Sequence, residues 1–252
     1  MSFAVPADAY ERFMGRYSRP MAPLFADFAR IAAGLTVLDV GAGSGALTQE
    51  IASRVGEAGV SAAEPADQFA TALRERHPHS DVRHAPAEAL PFADDEFDVA
   101  VAQLVVPFMA DPVAGLREMA RVTRRHGTVA ACVWDTAGDT SPLATVWEAA
   151  KRIDPSVPGE GHLAGARAGS LTALFEEAGL GHVHEEPLTV RVEHPTFEDW
   201  WEPYTYGVGP IGTYIAGLPD DHRDALRDMC RTLLPEAPFT VSGTAWAARG
   251  TA

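Results

Sequence analysis

Apolar and polar positions alternate between two periods along this chain. Val37-Leu38-Asp39-Val40 is apolar apart from Asp39 and reads as a buried strand. From Ser44 the period lengthens. Leu47, Ile51 and Val55 recur at four-residue steps and predict one apolar helix face. Val60-Ser61-Ala62-Ala63 predicts a second strand ending at Glu64, and Pro65 and Asp67 open a helix with Phe69, Leu73 and the body of Arg76 on one face. Asp81–Ala85 is strand-like. Phe97–Leu104 is small and apolar enough for a central strand. Asp111-Pro112 opens the next helix as N-cap and first position, with Leu116, Met119, Ala120 and Thr123 facing inward and Gly127 as its stop. Thr128–Trp134 is the fifth strand. Strands followed mostly by helices, opened by the strand–turn–helix at Val37, predict an α/β fold.

The flanks are less regular. Pro20 predicts a helix start, with Leu24, Phe25, Phe28 and Ile31 as its stripe. Between Ala137 and Gly169 periodicity fades except for a helix from Leu143 to Ile153, a length that predicts a lid or active-site loop. Ser170 caps a short helix with Leu171, Leu174, Phe175 and Ala178, closed by Gly179. Val183–Glu193 alternates like a half-exposed strand. An aromatic segment follows, with Phe197, Trp200, Trp201, Tyr204 and Tyr206, then Gly207-Val208-Gly209-Pro210 and a helix from Asp221 to Leu234. Phe239–Arg249 reads as the last strand.

Composition narrows the function classes. Hydrophobic residues make up 46% of the 252, enough for a substantial core, without a run of 18 apolar residues that would span a membrane. The N-terminus lacks a basic segment before an apolar one, so no signal peptide is read and a cytoplasmic setting is expected. Cys132 and Cys230 form neither a metal nor a redox spacing, and no metal site is expected. A net charge of −15 argues against nucleic acid as partner. The basic run Arg121–His126 reads instead as a helix C-terminus complementing its dipole.

The chemistry lies at the first strand–helix turn. Gly41, Gly43 and Gly45 at alternate positions permit φ > 0 and a close approach of backbone to ligand. A second acid, Glu64, ends the next strand about 20 residues on, where a ribose-binding acid sits in dinucleotide folds. Asp39-x-Gly41-x-Gly43-x-Gly45, Glu64 and the later run Ala87-Glu88-Ala89-Leu90-Pro91-Phe92-Ala93-Asp94-Asp95-Glu96-Phe97-Asp98-Val99 resemble three signatures of class I S-adenosylmethionine-dependent methyltransferases, in a branch similar to quinone-biosynthesis enzymes.

That resemblance implies a Rossmann-like three-layer sandwich with a seven-stranded, mostly parallel sheet whose last strand is antiparallel. It implies one methyltransferase domain over 1–252: N-terminal cap helices at 1–35, a cofactor-binding core at 36–194, a helical, aromatic insertion at 195–238 and the last strand at 239–250. S-adenosylmethionine is the implied cofactor and S-adenosylhomocysteine its product. Glu64 would accept the ribose hydroxyls, Asp39 would organise the turn, Gly41 and Gly43 would admit the methionine and ribose portions, Pro65 would flank adenine, and Ala42 and Gln68 are also expected at the cofactor. Pro86 stands where similar enzymes carry an acid for the adenine amino group, which leaves Glu88 or the backbone at Ala87 for that contact. Gln103 and Leu104 fall beside the cofactor by the crevice rule. From the cap, Tyr10, Met14, Arg16 and Ser18 are expected at the cofactor, with Arg16 on its carboxylate. Tyr10, Phe13 or Tyr17 would lie against the sulfonium, and spacing does not choose among them. Phe108, Trp134, Trp200, Trp201, Tyr204 and Tyr206 are candidates for the acceptor pocket and suit a small aromatic or apolar molecule.

Methyl transfer from a sulfonium is an in-line displacement, which requires position and electrostatics more than a nucleophilic side chain. No catalytic residue is singled out. His162, His184, His194 and His222 are the histidines available as a base. Two alternatives stay open. Gly41-x-Gly43-x-x-Ala46 nearly satisfies the dinucleotide fingerprint of an NAD(P)-dependent oxidoreductase, and the same fold could serve as a non-catalytic cofactor-binding scaffold. The expected partner is a small acceptor molecule, and the chain is expected as monomer or homodimer.

Overall fold

Val37–Val40 (β1) is buried along its whole length and is an inner strand of a seven-stranded sheet in the computed structural model, which describes residues 7–252. The other strands are Val60–Glu64 (β2), Asp81–His84 (β3), Phe97–Gln103 (β4), Thr123–Trp134 (β5), Gly181–His194 (β6) and Phe239–Thr251 (β7), in the order β3-β2-β1-β4-β5-β7-β6. Four pairings, β1–β2, β1–β4, β2–β3 and β4–β5, are parallel. β7 runs antiparallel to both β5 and β6. The fold is a Rossmann-like three-layer sandwich, as the sequence implies. The chain order reverses between β1 and β4, and a cleft opens beyond their carboxyl ends at such a switch point.

Helices cover both faces. Ala46–Val55 (α3 in chain order), Asp67–Arg76 (α4), Pro112–Val122 (α5), Ala144–Ile153 (α6) and Ser170–Ala178 (α7) lie between strands, and Ala7–Tyr10 (α1) and Arg16–Phe28 (α2) precede the first. Phe197–Trp201 (α8), Gly209–Ala216 (α9) and Asp220–Leu233 (α10) fill the connection from β6 to β7. The first six residues of the expected 1–35 cap lie outside the described residues. Among the described residues no helix is long and apolar enough to cross a membrane.

Several boundaries differ from the sequence reading. Pro20 does not open a helix; Pro20 and Pro23 lie inside α2, which continues from a π-helical stretch at Glu11–Gly15. Burial of Met21, Ala22, Phe25 and Ala26 outweighs the local cost of two prolines, and Leu24 faces solvent at 39% exposure. α5 ends at Val122 and not at Gly127. Thr123 is already extended, its hydroxyl donates to the Met119 carbonyl at 2.7 Å, and it pairs with Phe97 on β4. Only Arg121 of the basic run therefore falls in the last turn of the helix; Arg124 pairs with Asp98 from β5. Gly169, with φ of 77°, takes the N-cap position of α7 in place of Ser170.

Candidate active site

The turn after β1 fixes the floor of the cleft. Gly41 and Gly43 adopt φ of 69° and 55°, and the Gly41 N–H donates to Ala63 O on β2 at 2.8 Å. A Cβ on Gly41 would meet Val105 Cγ1 at 2.5 Å, so this glycine is required for packing. A Cβ on Gly43 would meet only Gly41 O, at 3.9 Å. The space beside Gly43 is open.

Two buried acids brace the turn. Asp39, 1% exposed, accepts a hydrogen bond from the Thr48 hydroxyl of α3 at 2.6 Å. Burial pushes its carboxyl up to about 7, against the Thr48 bond and with help from the Glu64 charge. Glu64, 5% exposed, accepts from Gly43 N–H through Oε2 and from Ala66 N–H through Oε1, both at 2.8 Å. Burial raises its carboxyl too, and the two backbone donors offset part of that rise. Each carboxylate oxygen can accept twice, so Glu64 keeps capacity for a ligand.

These groups border a cavity of about 860 Å³. Of the residues singled out from the sequence, Tyr10, Met14, Ser18, Asp39, Gly41, Ala42, Gly43, Glu64, Pro65, Gln68, Ala87, Glu88, Gln103 and Leu104 line it, as do Phe108 and Trp134. Glu88 also accepts from Asp111 N–H at 3.1 Å. Leu104 has φ of 63°, a conformation rare for a branched side chain, at the point where β4 meets the cavity. Gln103 Nε2 donates to Ser18 O at 3.1 Å, and Trp134 Nε1 donates to Met14 Sδ at 3.3 Å. These bonds tie the cap to the ends of β4 and β5. Ser18 Oγ and Gln103 Oε1 are buried without a hydrogen-bond partner.

Arg16 is not part of this wall. Its Nη1 pairs with Asp199 Oδ2 at 2.9 Å and donates to Asp199 O at 3.1 Å, binding the cap to α8. His194 completes the cluster. Its Nδ1 lies 3.1 Å from Asp199 Oδ2 and 3.0 Å from Arg16 Nη1, and its Nε2 lies 3.0 Å from the Tyr17 hydroxyl. Burial holds His194 below its ordinary range, which favours a neutral ring. Tyr17 is thereby turned away from the cavity, whereas Tyr10 and Phe13 line it. Helical spacing carried the warning about Arg16. Met14 and Ser18 are four apart and share a face, and a residue two positions from each points the other way.

The aromatic insertion departs from expectation too. Trp200, Trp201 and Tyr204 are buried in the core and do not line the cavity, and Tyr206 packs against the same cluster. Tyr204 meets Phe13 edge-on at 5.1 Å and donates to Pro142 O at 3.2 Å. These rings support the cap from behind. The insertion reaches the cavity through Val208, Gly209, Pro210 and Ile211 instead, and Leu143 and Glu160 line it too. The sequence reading passed over Glu160. A single acid between Gly159 and Gly161 in a long connection was the available signal.

A family profile described as a methyltransferase domain matches residues 38–131, the stretch from β1 through most of β5. Residues 38–131 belong to the methyltransferase-domain family. The chain is 29% identical over 203 residues to an uncharacterized protein of Mycobacterium tuberculosis, covering 77% of this chain and 73% of that one. It is 33% identical over 129 residues to a phosphatidylethanolamine N-methyltransferase of Cereibacter sphaeroides, covering 49% and 62%. The YcgJ protein of Bacillus subtilis has the same fold, with a TM-score of 0.59 at 20% identity over 93% of this chain and 97% of that one. The methyltransferase profile falls on the glycine turn, Glu64 and β4, the segment that left the oxidoreductase alternative open.

Proposed function

We propose that this protein transfers a methyl group from S-adenosylmethionine to a small, largely apolar molecule bound in the same cavity. The carrying observation is Glu64, held by two backbone N–H groups at the cavity floor beside the open space at Gly43. A carboxylate oriented this way accepts hydroxyl donors such as those of a ribose. The residues present fit the rest of the cofactor. Ser18 Oγ and Gln103 Oε1, buried without partners, supply polar contacts for an amino-acid end, and Pro65 and Ala87 give a flat apolar bed for a base. Tyr10 and Phe13 offer the aromatic surface that a sulfonium favours.

When bound, the cofactor supplies an electrophilic methyl carbon on a sulfonium. The chain supplies position. Gly41 and Gly43 let the backbone approach, Met14 and Trp134 close the cap over the strand ends, and the wall of Leu143, Val208 and Ile211 excludes water from the acceptor side. The volume lies near the upper end of the ~300–1,000 Å³ range of small-ligand clefts, room for a cofactor with a compact acceptor.

Incubation with S-adenosylmethionine and a panel of small amines, phenols and quinols, read by mass spectrometry of S-adenosylhomocysteine, tests this reading. Acceptor-dependent product is expected. Cofactor binding with no product across the panel would favour the scaffold alternative.

A further inference from the structure

Glu160 has no counter-charge. It is 6% exposed, and its carboxylate accepts from Trp147 Nε1 at 3.3 Å and from the Ile211 backbone N–H. Both donors are neutral. Among the described residues no Lys, Arg or His forms an ion pair with it. A buried carboxylate in this state is costly unless a cation or a proton joins it. Burial accordingly pushes its carboxyl up to about 7. The group is rigidly placed. Its own carbonyl accepts from the Thr136 hydroxyl at 3.0 Å, just past the end of β5, and from Leu163 N–H at 3.0 Å.

The cavity around it is acidic. Asp39, Glu64, Asp67, Glu88 and Glu160 line it, and no Lys, Arg or His does so among the described lining residues. Four of these acids cluster at the ends of β1 and β2 and the segments after β2 and β3, the nucleotide side. Glu160 comes from a different segment, the connection after β5, and its carboxylate is hydrogen-bonded to Trp147 and Ile211; the apolar Trp134, Leu143, Val208 and Ile211 line the same cavity. An anionic acceptor would enter this field with nothing to neutralise it. A neutral apolar acceptor would leave Glu160 to be met only by a proton, whereas a cation would pair with it directly.

Resting on the methyl-transfer reading above, we infer that Glu160 is the acceptor-binding base, and that the acceptor is a primary or secondary amine on an apolar body. The ammonium pairs with the Glu160 carboxylate, and the apolar body fills the wall made by Leu143, Val208 and Ile211. Glu160 takes one proton from the ammonium and leaves a lone pair on nitrogen. That pair forms the new N–C bond as the S–C bond breaks, and the electrons of the broken bond stay on sulfur. The sulfonium becomes a neutral thioether, the methylated nitrogen carries the positive charge, and Glu160 returns its proton to water as product leaves. A carboxylate near neutrality suits this exchange in both directions.

Calorimetric titration separates this inference from the reading beneath it. The probes are phenethylamine, cyclohexylmethylamine and butylamine, with phenethyl alcohol and phenylacetate as neutral and anionic counterparts, each added to protein saturated with S-adenosylhomocysteine. Wild type is expected to bind at least one amine ten or more times tighter than the alcohol and to reject phenylacetate. Glu160→Gln keeps the side-chain shape; it is expected to bind S-adenosylhomocysteine as wild type does and to lose tenfold or more in amine affinity. Equal amine binding by Glu160→Gln overturns the assignment while the cofactor reading stands. So does a wild type that binds no amine, or binds phenylacetate as well as phenethylamine, and this comparison holds even where the variant fails to fold. Failure of wild type to bind S-adenosylhomocysteine overturns the methyl-transfer reading, and the inference with it.

Discussion

Gly43→Ala separates the architecture of the turn from its use. At Gly41 an added Cβ would overlap Val105 at 2.5 Å, whereas at Gly43 its nearest neighbour is 3.9 Å away. Gly43→Ala therefore meets no protein atom that must move. Its backbone cost comes from φ of 55°, where a side chain loses roughly 1–2 kcal/mol, offset by about 0.4–1 kcal/mol from a less flexible unfolded chain. The net is about 1 kcal/mol, which lowers Tm by roughly 2–4 °C at this chain length. The new methyl projects into open cavity, and a cofactor that needs this approach must shift or lose contacts. Two hydrogen bonds to charged or buried groups are at stake, about 3 kcal/mol, or roughly a hundredfold in Kd. Thermal unfolding with and without S-adenosylhomocysteine, joined to calorimetric titration, reads both quantities. A folded Gly43→Ala that binds S-adenosylhomocysteine as wild type does would refute the placement of the ligand, and a variant as unstable as Gly41→Ala would refute the claim of free space.

Other outcomes follow from the buried charges and the cap. Asp39 ordinarily titrates near 3.8 and is held at about 7 here, so the folded state binds its proton more tightly than the unfolded chain. Its contribution is fully present below pH 4 and is lost as pH rises to about 7, a change of up to about 4 kcal/mol. The ligand-free protein should thus melt at lower temperature at pH 8 than at pH 5, and Asp39→Asn should flatten part of that slope, with Glu160 supplying another part; an unchanged slope would contradict the assignment. Arg16→Ala should cost about 1 kcal/mol of stability by loosening the cap from Asp199 and leave S-adenosylhomocysteine affinity unchanged. A tenfold affinity loss at constant Tm would return Arg16 to the cofactor. Trp200→Ala should destabilise by about 3–5 kcal/mol, because the ring is 1% exposed in the core, and a variant with normal Tm that loses only acceptor binding would contradict that placement.

The strand–turn–helix at β1 was legible because its chemistry is local. Alternate glycines, an acid in the strand and a helical stripe all lie within one stretch, and the second acid sits at a fixed distance along the next strand. The sheet followed from alternation and from the resemblance of its motifs. The cap and insertion were less legible because their roles are set by tertiary partners. Arg16 reads as a free cation until Asp199, 183 residues later, is placed beside it. Trp200 and Tyr204 read as a binding surface until Phe13 and Phe239 are seen packed on the cluster. Glu160 gave the opposite difficulty. It has no motif, and its character comes from burial beside Trp147 and Ile211, which no local pattern encodes.

The most direct measurement is calorimetric titration of wild type and Glu64→Ala with S-adenosylmethionine, S-adenosylhomocysteine and NAD(H). Saturable, micromolar binding of the two sulfur compounds by wild type, lost in a folded Glu64→Ala and absent for NAD(H), is the predicted result. Binding of NAD(H) alone, or binding of S-adenosylmethionine that is indifferent to Glu64, would contradict it.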